Sequence, residues 1–123
     1  MSVEPVKLEG LSAETAAFKS NVLAILEIIP AGRVMTYGTL AAAAGKPGNA
    51  RQVGELLRGL SLETLSLEET RHPWQRVINA SGRISTYKVG TGELQRALLE
   101  AEGVSFNNSG RCDLQRLGWL PND

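Results

Sequence analysis

Between Glu14 and Ile29 the apolar residues Ala17, Phe18, Val22, Ile25, Leu26 and Ile29 recur at intervals of three and four. That spacing predicts a helix with one buried stripe, and Ser12 stands where an N-cap belongs. Pro30-Ala31-Gly32 ends the helix. Arg33-Val34-Met35 is short and β-leaning, so it predicts an extended link. Thr36 is placed to cap a second helix, from Tyr37 to Ala44, which Gly45 stops. Lys46-Pro47-Gly48 is a turn. Asn49 followed by Gln52 is a capping-box variant that opens a third helix, from Ala50 to about Leu60. Two short helices joined by a tight turn make a helix-turn-helix pattern, which is also common in bundles that never touch DNA.

The second half is less regular. Residues 61–71 alternate apolar with polar and fit either a loop or a helical turn. His72-Pro73-Trp74 breaks any helix, and Val77-Ile78-Asn79 reads as a short buried segment. Ala80 to Arg83 is a turn, and Arg83 to Lys88 is a polar excursion that fits a wing. Thr91 is expected to cap a last helix, Gly92 to Ala101, with Leu94, Ala97, Leu98 and Ala101 on its inner face and Gly103 past its end. Val104-Ser105-Phe106 and Cys112-Asp113-Leu114, separated by a turn at Asn107–Gly110, predict a hairpin. Trp119 is expected to pack back on the core. Residues 1–12 are polar and mixed and read as a loose N-terminal arm, which leaves 13–123 as one domain.

Composition narrows the chemistry. At 123 residues with 42% hydrophobic and 21% charged content, the chain has the makings of a single packed domain. No apolar run approaches a membrane span, and the first ten residues lack the basic-then-apolar order of a signal peptide. A single cysteine, Cys112, permits no internal disulfide and no thiolate metal cluster, and His72 is the only histidine. These counts predict a reduced intracellular protein with no metal or cofactor and no membrane contact.

Thirteen basic and thirteen acidic residues cancel, which taken alone argues against nucleic acid. The sum hides a division. Residues 33–58 hold Arg33, Lys46, Arg51 and Arg58 against Glu55, and residues 71–88 hold Arg71, Arg76, Arg83 and Lys88 against no acid. One basic face on an otherwise acidic body is enough to meet phosphates. Ordinary clustered surface charge is the competing explanation.

The catalytic inventory is thin. There is no Ser-His-Asp set, no phosphate-cradling glycine loop and no specific carboxylate pair. Cys112 is the only candidate nucleophile, and Asp113 beside it would raise its pKa rather than lower it. Three segments stand out instead: Val34-Met35-Thr36-Tyr37-Gly38, Asn49-Ala50-Arg51-Gln52-Val53-Gly54, and Pro73-Trp74-Gln75-Arg76-Val77-Ile78-Asn79. Singly, each has a plain structural explanation: Tyr37 and Trp74 as core aromatics, Arg51 as a solvated helix charge.

In this order and spacing, the motifs Thr36-Tyr37-Gly38, Ala50-Arg51-Gln52-Val53-Gly54, Arg76-Val77-Ile78, Ser81-Gly82 and Glu102-Gly103 resemble the C-terminal domain of the O6-alkylguanine-DNA alkyltransferases. The resemblance runs from about Phe18 to Trp119. It implies a mainly α domain with small β elements, a winged-helix-like helix-turn-helix domain of the alkyltransferase C-terminal type. The family's Pro-Cys-His-Arg-Val signature reads Pro73-Trp74-Gln75-Arg76-Val77 here. Tryptophan in place of the acceptor cysteine marks the alkyltransferase-like proteins; many of those keep the histidine, and this chain has Gln75. Glu102 matches the glutamate of the proton relay, while the asparagine that supports the active-site turn is Leu60.

Acceptor, base and support are all changed. The resemblance therefore implies a non-enzymatic reader of duplex DNA that carries O6-alkylguanine. It would flip the damaged base and flag the lesion for nucleotide excision repair proteins. The expected DNA-binding residues are Thr36, Tyr37, Gly38, Ala50, Arg51, Gln52, Gly54 and Arg58, with the Ala50–Leu60 helix in the minor groove and Arg51 as the intercalating finger. The expected lesion pocket is Tyr37, Trp74, Val77, Ile78, Ser85 and Tyr87, with Tyr87 where some relatives carry a basic residue and Lys88 next door as a possible substitute. A monomer is expected, in the cytoplasm of a bacterium or the nucleus of a eukaryote. Two other readings stay open: a sequence-specific winged-helix regulator, and an alkyltransferase with residual activity through Cys112.

Overall fold

The computed structural model describes residues 12–67 and 72–122. The expected N-terminal arm lies outside the described residues, apart from Ser12. Helix α1 (Ala13–Ile28) begins where Ser12 accepts a hydrogen bond from the Thr15 amide at 2.9 Å. Phe18, Val22, Leu26 and the following Ile29 are buried, Ile25 packs at the edge of the core, and Ala17 is exposed. Strand β1 (Met35–Thr36) leads into α2 (Tyr37–Ala43), and a full capping box between Thr36 and Thr39 fixes that junction. After the Lys46–Gly48 turn comes α3 (Ala50–Leu67). Asn49 does not close a capping box there: its side-chain amide donates to the Gln52 side-chain carbonyl at 3.1 Å.

A 3-10 turn (Trp74–Arg76) then feeds β2 (Val77–Ile78), which pairs in parallel with β1 in the register Met35–Val77 and Thr36–Ile78. A second 3-10 turn (Thr86–Val89) precedes α4 (Gly92–Ala101), and a short α5 (Leu114–Leu117) carries the chain to Trp119. The main core joins α1, α2, α3, the Trp74 turn and Trp119. A second cluster, around Val34, Ile78, Leu99 and Cys112, lies beneath α4 and α5.

Helix α3 runs seven residues beyond the end expected at Leu60. The alternation in 61–67 is read at helical pitch: Ser61 and Thr64 are buried, while Leu62, Leu65 and Leu67 face out. Polar side chains can turn inward because each hydroxyl bonds back to its own helix and accepts from outside. Thr64 donates to the Leu60 carbonyl (3.0 Å) and accepts from the Trp74 indole (2.9 Å). Ser61 donates to the Arg58 carbonyl (2.8 Å) and accepts from Thr91 (3.1 Å). The Thr91 hydroxyl thus binds Ser61 and does not cap α4.

Helix α4 also presents a different face from the one expected. Gln95 and Leu99 are buried, Leu94 and Leu98 are partly buried, and Ala97 and Ala101 are exposed. The buried amide of Gln95 is matched by the carbonyls of Gln75 (3.0 Å) and Val77 (2.8 Å) and by the Thr86 hydroxyl (2.7 Å). The expected hairpin is not formed either. Arg111 bridges Arg83 antiparallel, Cys112 donates to the Gly82 carbonyl, and Asp113 begins a helix by accepting from the Arg116 amide. Trp119 packs on the core as expected, with its amide donating to Val34.

The inward Thr64 gives a direct check. Thr64→Val keeps the volume but leaves the buried indole N–H unpaired, so unfolding in urea should show a loss of about 1–3 kcal/mol. Leu65→Ser, on the outer face of the same turn, should stay within about 0.5 kcal/mol.

Candidate nucleic-acid interface

The start of α2, the first half of α3 and the 85–89 segment enclose an open cleft of about 690 Å3. Six expected site residues line it: Tyr37, Ala50, Arg51, Gly54, Arg58 and Ser85. Helical pitch places Arg51, Gly54 and Arg58 on one outward ridge. Gly54 has open space where a Cβ would stand, so the ridge is low at its centre. On the opposite wall, Tyr37 and Ser85 are joined by a 3.1 Å hydrogen bond between their hydroxyls. Burial raises the Tyr37 pKa, and the bond to Ser85 only partly opposes this, so the hydroxyl keeps its proton.

The other expected residues lie elsewhere. Thr36 is engaged in its capping box, Gln52 faces α1 near Thr15 and Phe18, and Gly38 is exposed outside the cleft. Trp74, Val77 and Ile78 are at most 1% exposed and lie within the packing rather than on the cleft surface. Tyr87 faces away from the cleft, into a separate recess with Arg83 and Arg96. Turn geometry explains that separation: within 85–88, Ser85, Thr86 and Lys88 face the cleft and Tyr87 the other side. Glu55, Thr86, Lys88 and Val89 complete the lining. Glu55 follows from its place one residue after Gly54 on the same ridge, whereas only the fold reveals Thr86 and Val89.

The basic windows divide by use. Arg51, Arg58 and Lys88 line the cleft against Glu55. Arg33 donates to the Leu117 and Gly118 carbonyls, and Lys46 pairs with Glu14. Arg76 is held inside the molecule and Arg71 lies outside the described residues.

Beneath the cleft wall lies a charged clasp. Glu102 accepts from the Arg76 guanidinium at 2.9–3.1 Å, from the Gln75 amide at 2.8 Å and from the Gly32 amide at 3.3 Å. Arg76 also donates to the Ile29 carbonyl at 2.7 Å. Burial by itself would raise the Glu102 pKa. The bonds from Arg76, Gln75 and Gly32, with the Arg76 charge, more than offset it and hold the carboxyl below its ordinary value of 4.5. The Gln75 side-chain oxygen is buried without a partner. Cys112 is buried in the second cluster, away from the cleft; burial and, less strongly, Asp113 raise its pKa, so it is held as a thiol. Among the described residues no cluster of three or more His, Cys, Asp or Glu is placed to hold a metal, and no helix is long and apolar enough to cross a membrane.

A basic, low-ridged helix beside a tyrosine wall, on a mainly helical frame, defines a DNA-binding domain of the alkyltransferase type. The chain belongs to the family described as 6-O-methylguanine DNA methyltransferase, DNA binding domain, whose model matches residues 17–104. It is 39% identical over 104 residues to a DNA base-flipping protein of Vibrio parahaemolyticus, covering 85% of this chain and 97% of that one. It is 39% identical over 98 residues to alkyltransferase-like protein 1 of Schizosaccharomyces pombe, covering 76% and 85%. The fold matches a crystal structure of S. pombe Atl1 in complex with damaged DNA containing O6-carboxymethylguanine, with a TM-score of 0.70 and 38% identity over 85% of this chain and 95% of that one.

The depressed Glu102 pKa sets a pH dependence. A carboxyl whose folded pKa is lowered adds stability that is fully present above its unfolded value and is lost as pH falls through the folded one. Glu102→Gln should therefore be less stable at pH 7 by about 1–2 kcal/mol, below the cost of breaking a fully buried pair because both charged groups keep some contact with solvent. Urea midpoints of variant and parent should converge below pH 4.5. Parallel curves from pH 7 to pH 3 would remove the clasp from the account.

Proposed function

We propose that this chain binds duplex DNA containing O6-alkylguanine, turns the damaged nucleotide out of the stack, and transfers no alkyl group. The single observation that carries the reading is Arg51. It is exposed in the first turn of α3, between small Ala50 and Gly54, in a cleft whose lining contains no thiol. Base-flipping and alkyltransferase-like relatives support it.

In this reading the first half of α3 enters the minor groove, where Ala50 and Gly54 let the backbone approach. Arg51 fills the gap left in the stack and donates to the orphan cytosine. Tyr37 presses on the neighbouring phosphate, and Arg58 and Lys88 hold the backbone on either side. Flipping costs a few kcal/mol, and least for an alkylated base that already pairs badly. Thr36, through its capping box, and Gln52, against α1, act by holding the frame.

Trp74 occupies the acceptor position. An indole is no alkyl acceptor under these conditions, and Gln75 cannot take a proton at neutral pH. Trp74 is also covered and hydrogen-bonded. A flipped base reaches its face, and those of Val77 and Ile78, only after the Tyr37–Ser85 wall opens. Handover of the bound lesion to nucleotide excision repair proteins, with the reader acting as a monomer, completes the proposal.

Binding of O6-methylguanine duplex should exceed that of the same unmodified duplex, with no radiolabel passing to the protein; equal affinities would sink the lesion-reading role. The three cleft cations alone give a slope of log affinity against log salt of about −3. Arg51→Lys keeps charge but has no planar surface. It should retain most of that slope yet lose the fluorescence rise of 2-aminopurine placed opposite the lesion, and Arg51→Ala should lose both. If Arg51→Lys matches the parent in both, Arg51 is one more phosphate contact and not the finger.

A further inference from the structure

The 83–89 segment is a partition with two sides. Ser85, Thr86, Lys88 and Val89 face the duplex cleft. Arg83 and Tyr87 face a smaller recess of about 200 Å3, closed opposite by Arg96, Phe106 and the Ser109–Gly110 turn.

Two features at this recess exceed what the fold uses. Arg83 stands opposite Arg111 in an antiparallel bridge. Residues so paired send their side chains to the same face, with Cα atoms about 5 Å apart. Two guanidinium groups in that position repel each other. Neither has an acidic partner among the described residues, and the Arg83 guanidinium donates only to the neutral Ser109 carbonyl, at 3.1 Å. Beside this pair is a half-exposed aromatic face. The Tyr87 ring lies against Gly92, where an added Cβ would come within 2.2 Å of it, and its outer side is open to solvent at 50% exposure. Arg96 lies over the Phe106 ring at 4.9 Å, is neutralised by Glu100 at 3.0 Å and interacts with the Tyr87 hydroxyl, so the fold engages the edge of the Tyr87 ring while its outer face stays open.

An uncompensated cation pair next to a bare aromatic face suits a phosphate with an unpaired base attached. We propose that the recess and its rim bind one unpaired nucleotide of a DNA strand, its phosphate at the rim, where Arg111 stands opposite Arg83, and its base on Tyr87. An acidic peptide would use the charges and gain nothing from the ring. The recess is smaller than the 300 Å3 or so at which drug-sized sites begin, as befits a single planar ring. Lys88 on the cleft side and Arg83 on the recess side let one backbone cross the partition between cations. This is a second contact, distinct from the flipped-base site and independent of whether the cleft prefers a lesion.

The test uses the full chain and an unmodified duplex, either blunt or bearing a three-nucleotide single-stranded tail with 2-aminopurine in it. The tail should tighten binding about fivefold, and the probe should be quenched on stacking. The double variant Arg83→Ala with Arg111→Ala should lose the gain. Lys19→Ala with Lys46→Ala removes the same charge on the α1 side of the molecule and should keep it. Tyr87→Phe should keep the quenching and Tyr87→Ala should lose it. The proposal falls if the tail adds nothing, if both double variants lose the gain equally, or if Tyr87→Ala still quenches. Displacement of the tail by an equal nucleotide concentration of free thymidine monophosphate would make this a mononucleotide site and overturn the strand assignment. Displacement by polyglutamate would overturn the nucleotide assignment. Lesion preference, read separately on blunt duplexes, stands or falls by itself.

Discussion

Glu102 draws three separate pieces of chain to one carboxylate. It takes bonds from Gly32 just after α1, from Gln75 and Arg76 in the turn before β2, and it sits at the end of α4. Arg76 closes the ring by reaching the Ile29 carbonyl. Because β2 pairs with β1 in a register of only two residues, the sheet by itself has little power to fix that register. The clasp supplies what the sheet lacks. It pins the entry to β2, and β1 runs directly into Tyr37, so the position of the cleft wall descends from a largely buried ion pair. Such pairs are weak sources of net stability, since desolvation cancels much of the attraction, but breaking one is costly. The clasp is accordingly better read as a device that selects one arrangement than as a store of stability.

A second, uncharged brace serves the other wall. Gln95 holds the backbone of Gln75 and Val77 with its amide nitrogen and Thr86 with its oxygen. Ser61 and Thr64 hold Thr91 and Trp74 from the far end of α3. The cleft is thus bounded by elements tied together through polar side chains that point inward, each with its partners present. Buried networks of this kind rigidify when fully satisfied. In the proposed reading α3 needs that support, since its outer ridge is exposed and Arg51 in its first turn can act as a finger only if the helix beneath it is held still.

These inward polar residues also explain what could be read in the sequence and what could not. Apolar periodicity locates α1, and cap chemistry locates the α2 start at Thr36, because each depends on neighbours in sequence. Motif order locates Tyr37, Arg51 and Gly54, which the fold brings to one cleft. Periodicity fails where the inner face is polar: it ends α3 at Leu60, although Ser61 and Thr64 continue the buried stripe, and it turns α4 toward Ala97 and Ala101 rather than Gln95. The hairpin fails for a related reason. Cys112 finds its backbone partner at Gly82, thirty residues back, and no local pattern announces a pairing over that distance. Motif position places Tyr87 in the lesion pocket, but one residue of 3-10 turn is enough to send a side chain to the opposite side of a partition.

The Gln75 side chain joins the clasp to the question of chemistry. Its amide nitrogen donates to Glu102, the contact through which a proton acceptor at this position would be oriented. Its oxygen is buried and has no hydrogen-bond partner among the described residues. An amide here can hold the carboxylate in place but cannot accept a proton at neutral pH, so the link from Glu102 toward residue 74 ends at Gln75. Trp74 fills the next position with an indole whose single donor already belongs to Thr64. Each of these two side chains is engaged in holding the frame through its N–H donor, and neither an indole nor an amide is a base or nucleophile strong enough at neutral pH to activate or accept an electrophile. Trp74 and Gln75 are both covered and hydrogen-bonded inside the packing, so they help to keep this part of the molecule closed, which suits the proposed task of holding a nucleotide out of the stack rather than reacting with it.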